Sequence, residues 1–91
     1  MSAQTVLIVD DEPDIRELLA ITLSRMGLES FSAATLDEAR KQLTQVKPDL
    51  CLTDMRLPDG NGIHLVEYIQ QEFPDMPVAM ITAHGSVETA I

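Results

Sequence analysis

The chain has 91 residues, is 45% hydrophobic, and carries a formal net charge of −9 from 15 acidic and 6 basic residues. Its length suits one small globular domain, and its acidity argues against direct contact with nucleic acid, which normally requires a basic face. The N-terminus shows no signal-peptide pattern and no apolar run reaches the length of a membrane span, so we expect a cytoplasmic protein that does not contact a membrane.

The first two predicted elements are a strand and a helix. Residues 6–9 form a continuous apolar run rich in β-branched side chains, which is typical of a strand buried on both faces. Pro13 lies where a helix would begin, and Gly27 lies where it would end. The buried stripe predicted for this helix consists of Ile15, Leu18, Leu19, Thr22 and Met26.

A weaker strand and a capped helix follow. Residues 28–33 indicate a strand near the edge of the sheet. Thr35 and Glu38 have the spacing of a capping box, in which Thr35 is the N-cap of the next helix. The buried stripe predicted for that helix consists of Leu36, Ala39, Leu43 and Val46.

The second half of the chain continues the alternation. Residues 50–53 and 78–81 are apolar runs that predict two further strands. The loop after the first of these contains the turn-forming residues Pro58, Gly60 and Gly62. The helix after the loop is predicted to bury Ile63, Val66, Ile69 and Phe73 and to direct His64 to solvent. Residues 85–88 indicate the start of another helix, with Ser86 as its N-cap.

This alternation predicts an α/β fold, a mainly parallel sheet with helices on both faces. In such sheets, ligands bind beyond the carboxyl ends of the strands, where the strand order reverses. The chemically reactive side chains lie at these ends: Asp10 and Asp11 after the first strand, Asp54 after the third and Thr82 after the fourth. If the first and third strands are neighbours, the three carboxylates meet in one pocket.

Three carboxylates in one pocket oppose one another's ionisation, and a divalent cation would relieve that repulsion. Mg²⁺ prefers oxygen ligands, so Asp10, Asp11 and Asp54 are candidate ligands. A carboxylate beside Mg²⁺ can attack a phosphoryl group, whose charge the metal neutralises. Asp54 is the candidate nucleophile because it stands alone at the end of its strand, and Thr82 could direct its hydroxyl to a phosphoryl oxygen.

Three segments carry a resemblance to a known family. They are residues 6–13 (VLIVDDEP), 52–62 (LTDMRLPDGNG) and 77–83 (PVAMITA). Together they resemble the response-regulator receiver domain of two-component signalling, and the resemblance covers essentially the whole chain. It implies a flavodoxin-like (CheY-like) fold. Residues 49–60 and 80–86 are further similar to the receivers of NtrC-type, sigma-54-dependent transcription activators.

The resemblance implies a role for each candidate residue. Asp54 would be the phosphoacceptor, supplied by a sensor histidine kinase. Asp10 and Asp11 would hold Mg²⁺ together with Asp54 and the main-chain carbonyl of Arg56, and Thr82 would be the switch hydroxyl. A receiver is a regulatory phosphoacceptor and not an enzyme, apart from slow self-dephosphorylation. In sigma-54 activators it precedes an ATPase domain and a DNA-binding domain, which we expect in the full-length protein, and it switches their transcription-activating output.

The sequence departs from the family after its fourth strand. Receivers carry an aromatic switch residue and a phosphoryl-pairing lysine on a fifth strand, and this sequence has neither that strand nor the last helix. Lys41 and Lys47 lie around the second helix, far from the expected site. We therefore expect residues 1–91 to form a single receiver domain, truncated at the C-terminus. Its fourth strand would be an open edge that invites pairing or aggregation.

Two other functions fit parts of the pattern. A magnesium phosphatase of the haloacid-dehalogenase type would need an acid two residues after its nucleophile, where this chain has Arg56. The chain could instead be a truncated fold fragment or a homodimerising module without phospho-switch activity.

Among the other reactive side chains, His64 and His84 lack partners at zinc-ligand spacing, and Cys51 is expected to be a buried, inert thiol.

Overall fold

Strands and helices alternate in the described part of this computed structural model, which comprises residues 4–81 and the backbone of residues 87–89. The strands are β1 (Thr5–Val9), β2 (Glu29–Ala33), β3 (Leu50–Asp54), β4 (Arg56–Leu57), β5 (Gly60–Asn61), β6 (Val78–Ile81) and β7 (Val87–Thr89). The helices are α1 (Pro13–Arg25), α2 (Leu36–Val46) and α3 (Gly62–Glu72). Five strands form the main sheet in the order β2-β1-β3-β6-β7, and β4 and β5 form a separate hairpin.

Strand order in the main sheet reverses between β1 and β3. The chain passes from β1 to the edge strand β2 and then returns to the other side of β1 as β3, and all these neighbours are parallel. In the register of the sheet, Val9 lies opposite Thr53, and Asp54 lies opposite Ile81. The residue that follows β1 and the residue that ends β3 therefore meet at the carboxyl edge of the sheet, where ligands bind in folds of this kind.

The sheet is buried on both faces, as the apolar run of residues 6–9 in β1 predicted. Leu7 and Val9 pack on the face that α2 and α3 cover. Val6 and Ile8 pack on the opposite face, which α1 covers. This arrangement confirms the predicted α/β architecture. None of the helices in the described residues has the length and apolar character that a membrane crossing requires.

The predicted capping box starts helix α2. The Thr35 hydroxyl accepts a 3.1 Å hydrogen bond from the Glu38 amide, which satisfies one of the free N–H groups of the first turn. The Glu38 carboxylate accepts a 2.6 Å hydrogen bond from the amide of Ala34, one residue before the usual partner. The predicted stripe is buried at Leu36, Ala39 and Leu43, while Val46 is half-buried.

Helix α1 buries a different stripe from the one predicted. Leu23 is its buried residue and Leu19 packs beside it, whereas Leu18 is 60% exposed and Met26 is 68% exposed. Thr22 is also exposed, and its hydroxyl donates to the carbonyl of Leu18. The prediction was wrong at these three positions because apolar side chains occur around most of this helix, so their spacing did not select one face.

Helix α3 buries Val66 and Ile69 and packs Phe73 against the core, as predicted, but it does not bury Ile63. Its buried residues are Gly62, Leu65, Val66 and Ile69. Ile63, which was predicted to face the core, is 47% exposed. Gly62 instead lies closest to the sheet at this end of the helix, against the backbone of β3. His64 is exposed, as predicted.

The segment after β6 contains a strand where the sequence predicted a helix. Strand β7 pairs antiparallel with β6 and places Val87 opposite Ile81. The pairing satisfies main-chain groups that β6 would otherwise present at the sheet edge, and valine and threonine favour strands. The predicted helix start over residues 85–88 is therefore wrong in its described part. Its predicted N-cap, Ser86, lies outside the described residues.

A short antiparallel hairpin, residues 56–61, occupies the loop predicted after β3. Arg56 pairs with Asn61, and Leu57 pairs with Gly60. The Asn61 side chain then accepts a 2.9 Å hydrogen bond from the Ile63 amide and caps α3. The hairpin thus connects the end of β3 directly to the start of α3.

Candidate functional site

Three carboxylates come together at the carboxyl edge of the sheet, as the sequence predicted. Asp10 and Asp11 follow β1, and Asp54 is the last residue of β3. One oxygen from each of the three lies within 4.8 Å of the others. Asp10 is buried, Asp54 is half-buried and Asp11 is exposed, so the group forms a pocket that is open to solvent on one side. We call these three residues the acidic pocket.

Asp10 is the most constrained member of the acidic pocket. It is 4% exposed, its amide donates to the carbonyl of Ala33 at 3.1 Å, and its Oδ1 accepts a 2.9 Å hydrogen bond from the Glu12 amide. Burial raises the pKa of Asp10, the Glu12 amide opposes that effect, and the negative charge of Asp54 adds to it. The protein thus holds a carboxylate where its charged form is disfavoured, and a bound cation would offset that cost.

Asp54 presents its carboxylate from the end of a buried strand. The residue before it, Thr53, is completely buried, whereas Asp54 itself is half-buried. Its Oδ1 accepts a 2.7 Å hydrogen bond from the Met55 amide, which orients the carboxylate through one of its two oxygens. A fixed, partly solvated carboxylate beside two others is the arrangement expected of a metal-assisted nucleophile.

Gly62 packs directly against the backbone of Asp54. Its amide donates a 2.8 Å hydrogen bond to the carbonyl of Met55. A Cβ atom on Gly62 would collide with the carbonyl oxygen of Asp54 and lie 3.3 Å from the Met55 Cα. Only glycine fits this position without displacing the end of β3. The sequence indicated Gly62 as a turn residue, and nothing local in the pattern revealed its contact with Asp54.

Asp59, at the turn of the hairpin, makes a contact that the sequence did not indicate. Its Oδ1 accepts a 2.8 Å hydrogen bond from the Leu36 amide, and its Oδ2 accepts a 3.1 Å bond from the Asp37 amide. The Leu36 amide, followed by that of Asp37, holds the pKa of Asp59 below its ordinary value. The sequence did indicate that the first N–H groups of α2 need hydrogen-bond partners. It could not identify Asp59 as the partner, because Asp59 is more than 20 residues away along the chain.

The other candidate residues are placed as follows. Arg56 lies on β4, exposed, two residues after Asp54. Thr82 and His84 lie outside the described residues, so the switch role of Thr82 stays a prediction. Cys51 is completely buried, as predicted, and burial raises the pKa of its thiol to about 12, which disfavours the reactive thiolate.

Lys41 and Lys47, which the sequence placed far from the expected site, both lie away from the acidic pocket. Lys41 is exposed on α2 and forms a 3.2 Å ion pair with Asp37, one turn earlier. Lys47 is the C-cap of α2 and precedes β3, whereas Asp54 ends that strand. Both lysines therefore have structural positions that do not supply the phosphoryl-pairing cation of a receiver.

Comparison with known sequences gives a family match over nearly the whole chain. The response regulator receiver domain model matches residues 6–91. The chain is 66% identical over 91 residues to the response regulator protein PilR of Pseudomonas aeruginosa, covering 100% of this chain and 20% of PilR. It is 38% identical over 91 residues to the nitrogen assimilation regulatory protein NtrX of Azorhizobium caulinodans, covering 98% of this chain and 20% of NtrX. The chain thus spans about a fifth of these relatives.

Solved structures share the architecture of this chain. The chemotaxis response regulator CheY4 of Vibrio cholerae superposes with a TM-score of 0.86 at 28% identity, covering 93% of this chain and 72% of that chain. The predicted flavodoxin-like (CheY-like) fold is confirmed by this similarity. The predicted resemblance to receivers of NtrC-type activators is confirmed by the similarity to PilR and NtrX.

Proposed function

Because the chain belongs to the response regulator receiver domain family, we propose that Asp54 is its phosphoacceptor. A carboxylate oxygen of Asp54 attacks the phosphorus of a phosphohistidine on a sensor histidine kinase. The new O–P bond makes an acyl phosphate, and the P–N bond to the kinase histidine breaks. The observation that carries this proposal is the convergence of the Asp10, Asp11 and Asp54 oxygens within 4.8 Å at the carboxyl edge of the sheet.

The acidic pocket fits Mg²⁺ as the assisting cation. Its donors are hard carboxylate oxygens, and the burial that raises the pKa of Asp10 makes its negative charge unfavourable, a cost that a bound cation would offset. Asp10, Asp11, Asp54 and the main-chain carbonyl of Arg56 are the proposed ligands. Bound Mg²⁺ would neutralise charge on the transferring phosphoryl oxygens. The residues of this chain fix the position of the acceptor carboxylate through the Met55 amide.

Phosphorylation is proposed to act as a switch between two conformations. The added charge draws the Thr82 hydroxyl toward the phosphoryl group and shifts the population of the segment after β6. In the full-length protein, this shift would control ATPase and DNA-binding output domains and so the activation of transcription. The setting is a cytoplasmic two-component pathway, in which the receiver is a regulatory phosphoacceptor with at most slow self-dephosphorylation.

Beryllofluoride, a mimic of the phosphoryl group, provides the test. In the full-length protein with Mg²⁺, beryllofluoride should shift the amide signals around Asp54 and Asp10, and Asp54→Ala should abolish the shifts. Asp75→Ala is the matched control, because it removes the same charge from an exposed position before β6. Shifts that survive in Asp54→Ala, or their absence in the unmodified protein, would contradict the proposal.

The alternative functions make different predictions. A fold fragment or homodimerising module would self-associate in sedimentation experiments but would not bind Mg²⁺ at the acidic pocket. A phosphatase would hydrolyse a phosphomonoester over many turnovers, which the arginine at position 56 disfavours. Mg²⁺ titration with sedimentation on the 91-residue chain tests the fold-fragment alternative, and a turnover assay with a phosphomonoester tests the phosphatase alternative.

A further inference from the structure

The hairpin that follows Asp54 is tied at its tip to the start of helix α2. Both carboxylate oxygens of Asp59 accept main-chain hydrogen bonds there, from Leu36 at 2.8 Å and from Asp37 at 3.1 Å. The first turn of α2 already has a cap of its own, because Thr35 accepts from the Glu38 amide. Asp59 therefore adds a second, long-range cap, which joins two elements that are distant in sequence. We call this pair of hydrogen bonds the Asp59 clamp.

Close packing holds the same two elements together beneath the clamp. Leu36 and Leu57 are both buried in the core cluster on this face. A Cβ atom on Gly60 would lie 2.6 Å from the Leu36 Cδ1, so the hairpin backbone approaches the helix as closely as glycine allows. The hairpin tip is thus fixed by packing as well as by the two hydrogen bonds.

The base of the hairpin is fixed to the acidic pocket. The Gly62 amide donates to the Met55 carbonyl at 2.8 Å, and Gly62 lies against the carbonyl of Asp54. Arg56 lies between these two anchoring points, directly after Met55. A movement of the hairpin tip would accordingly be transmitted to the main chain at Arg56.

We propose that Asp59 is a positioning residue for the phosphoacceptor site. It holds the hairpin against α2 and thereby places the main-chain carbonyl of Arg56 where a cation in the acidic pocket can use it. This role rests on the proposed function, since it assigns Asp59 to the Mg²⁺ site of a receiver. Asp59 itself does not touch the cation or the phosphoryl group; it acts through the backbone of the hairpin.

A simple helix cap would stabilise the fold without affecting the metal site, and the two roles can be separated by experiment. Thr35→Ala removes the local cap of the same helix without touching the hairpin. Asp59→Ala removes the clamp, and Asp59→Asn retains a side-chain oxygen that can accept one of the two hydrogen bonds. Asp75→Ala controls for the loss of one negative charge. Each variant of the 91-residue chain is titrated with Mg²⁺ while the amide signals of Met55 and Arg56 are recorded. The titrations are made without urea, at a temperature at which thermal unfolding curves show that the variant is folded.

We expect Asp59→Ala to weaken Mg²⁺ binding about tenfold, the lower end of the range for residues that orient metal ligands. Its Met55 and Arg56 signals should move before Mg²⁺ is added, and Asp59→Asn should recover part of the affinity. Thr35→Ala and Asp75→Ala should bind Mg²⁺ as the unmodified chain does. Equal affinity in Asp59→Ala and the unmodified chain, or an equal loss in Thr35→Ala, overturns the positioning role alone. Absence of Mg²⁺ binding by the unmodified chain overturns the proposed function and this role with it.

Discussion

The Nη1 atom of Arg16 donates a 2.8 Å hydrogen bond to the main-chain carbonyl of Asp10. Arg16 belongs to the first turn of α1, and Asp10 lies just after β1. A half-buried guanidinium thus closes the turn that carries two residues of the acidic pocket. The same turn is held from inside by the bond between the Glu12 amide and the Asp10 carboxylate.

Loss of the Arg16 guanidinium should destabilise this turn. We expect Arg16→Gln to lower the free energy of unfolding by about 2 kcal/mol, the usual range for a hydrogen bond to a charged group. Arg25→Gln is the matched control, because Arg25 is exposed in the last turn of the same helix. Urea unfolding measures the free energy of unfolding of both variants. Equal losses in the two would show that the hydrogen bond from Arg16 to Asp10 does not contribute to stability.

Neutralising Asp10 should have opposite effects on stability and on metal binding. Burial raises the pKa of Asp10 in the folded chain, so its ionised form is disfavoured there and reduces stability above its ordinary pKa. Asp10→Asn keeps an oxygen for the Glu12 amide but removes that charge. Without Mg²⁺, the variant should therefore unfold at a higher temperature than the unmodified chain.

Addition of Mg²⁺ should reverse this order. A cation that binds only the folded state stabilises the unmodified chain by mass action, whereas Asp10→Asn should gain little. Melting curves with and without Mg²⁺ test both halves of the prediction. Similar Mg²⁺-dependent stabilisation of the two proteins would exclude Asp10 as a ligand.

The acidic pocket was predictable because two simple rules determine it. Apolar runs mark buried parallel strands, and polar residues directly after them must lie at one edge of the sheet. Asp10 and Asp54 follow from these rules without knowledge of any side-chain packing. The capping box of Thr35 and Glu38 was also predictable, since its partners are three residues apart.

Features that depend on contacts distant in sequence were not predictable in the same way. The exposed Leu18 and Ile63 show that the spacing of apolar residues does not by itself determine which of them a helix buries. In the sequence, Asp59 is an ordinary turn residue, and its contact with α2 is visible only in the folded structure. The open edge expected at β6 is paired by the strand at Val87, and the local signals that predicted a helix over residues 85–88 did not indicate this pairing.

Replacing Gly62 should disturb the acceptor carboxylate directly. The Cβ of Gly62→Ala would overlap the Asp54 carbonyl oxygen, and the end of β3 or the start of α3 must move. We expect a loss of about 1–3 kcal/mol in the free energy of unfolding, as for other overpacked sites. Phosphorylation of Asp54 should fall as well, because the displaced backbone carries the acceptor.

Gly27 provides the control for this substitution. It has a φ of +81°, but a Cβ atom there would meet no atom within 4 Å. Gly27→Ala should therefore cost stability through backbone strain alone and leave Mg²⁺ binding and phosphorylation unchanged. If both glycine variants reduced phosphorylation equally, the contact between Gly62 and Asp54 would not be the cause.

The Asp59 clamp should make stability depend on pH in the acid range. The amides of Leu36 and Asp37 lower the pKa of Asp59 from its ordinary value of 3.8, so the unfolded chain binds a proton at this carboxyl before the folded chain does. The contribution of the clamp is then fully present above pH 3.8 and disappears as the pH falls through the lower pKa of the folded state. Asp59→Asn removes this titration. The stability difference between the unmodified chain and Asp59→Asn, measured by urea unfolding from pH 2 to pH 6 (roughly the span over which carboxyl groups titrate), should shrink with acidification. A difference that is constant across this range would mean that the charge of Asp59 does not strengthen its bonds to α2.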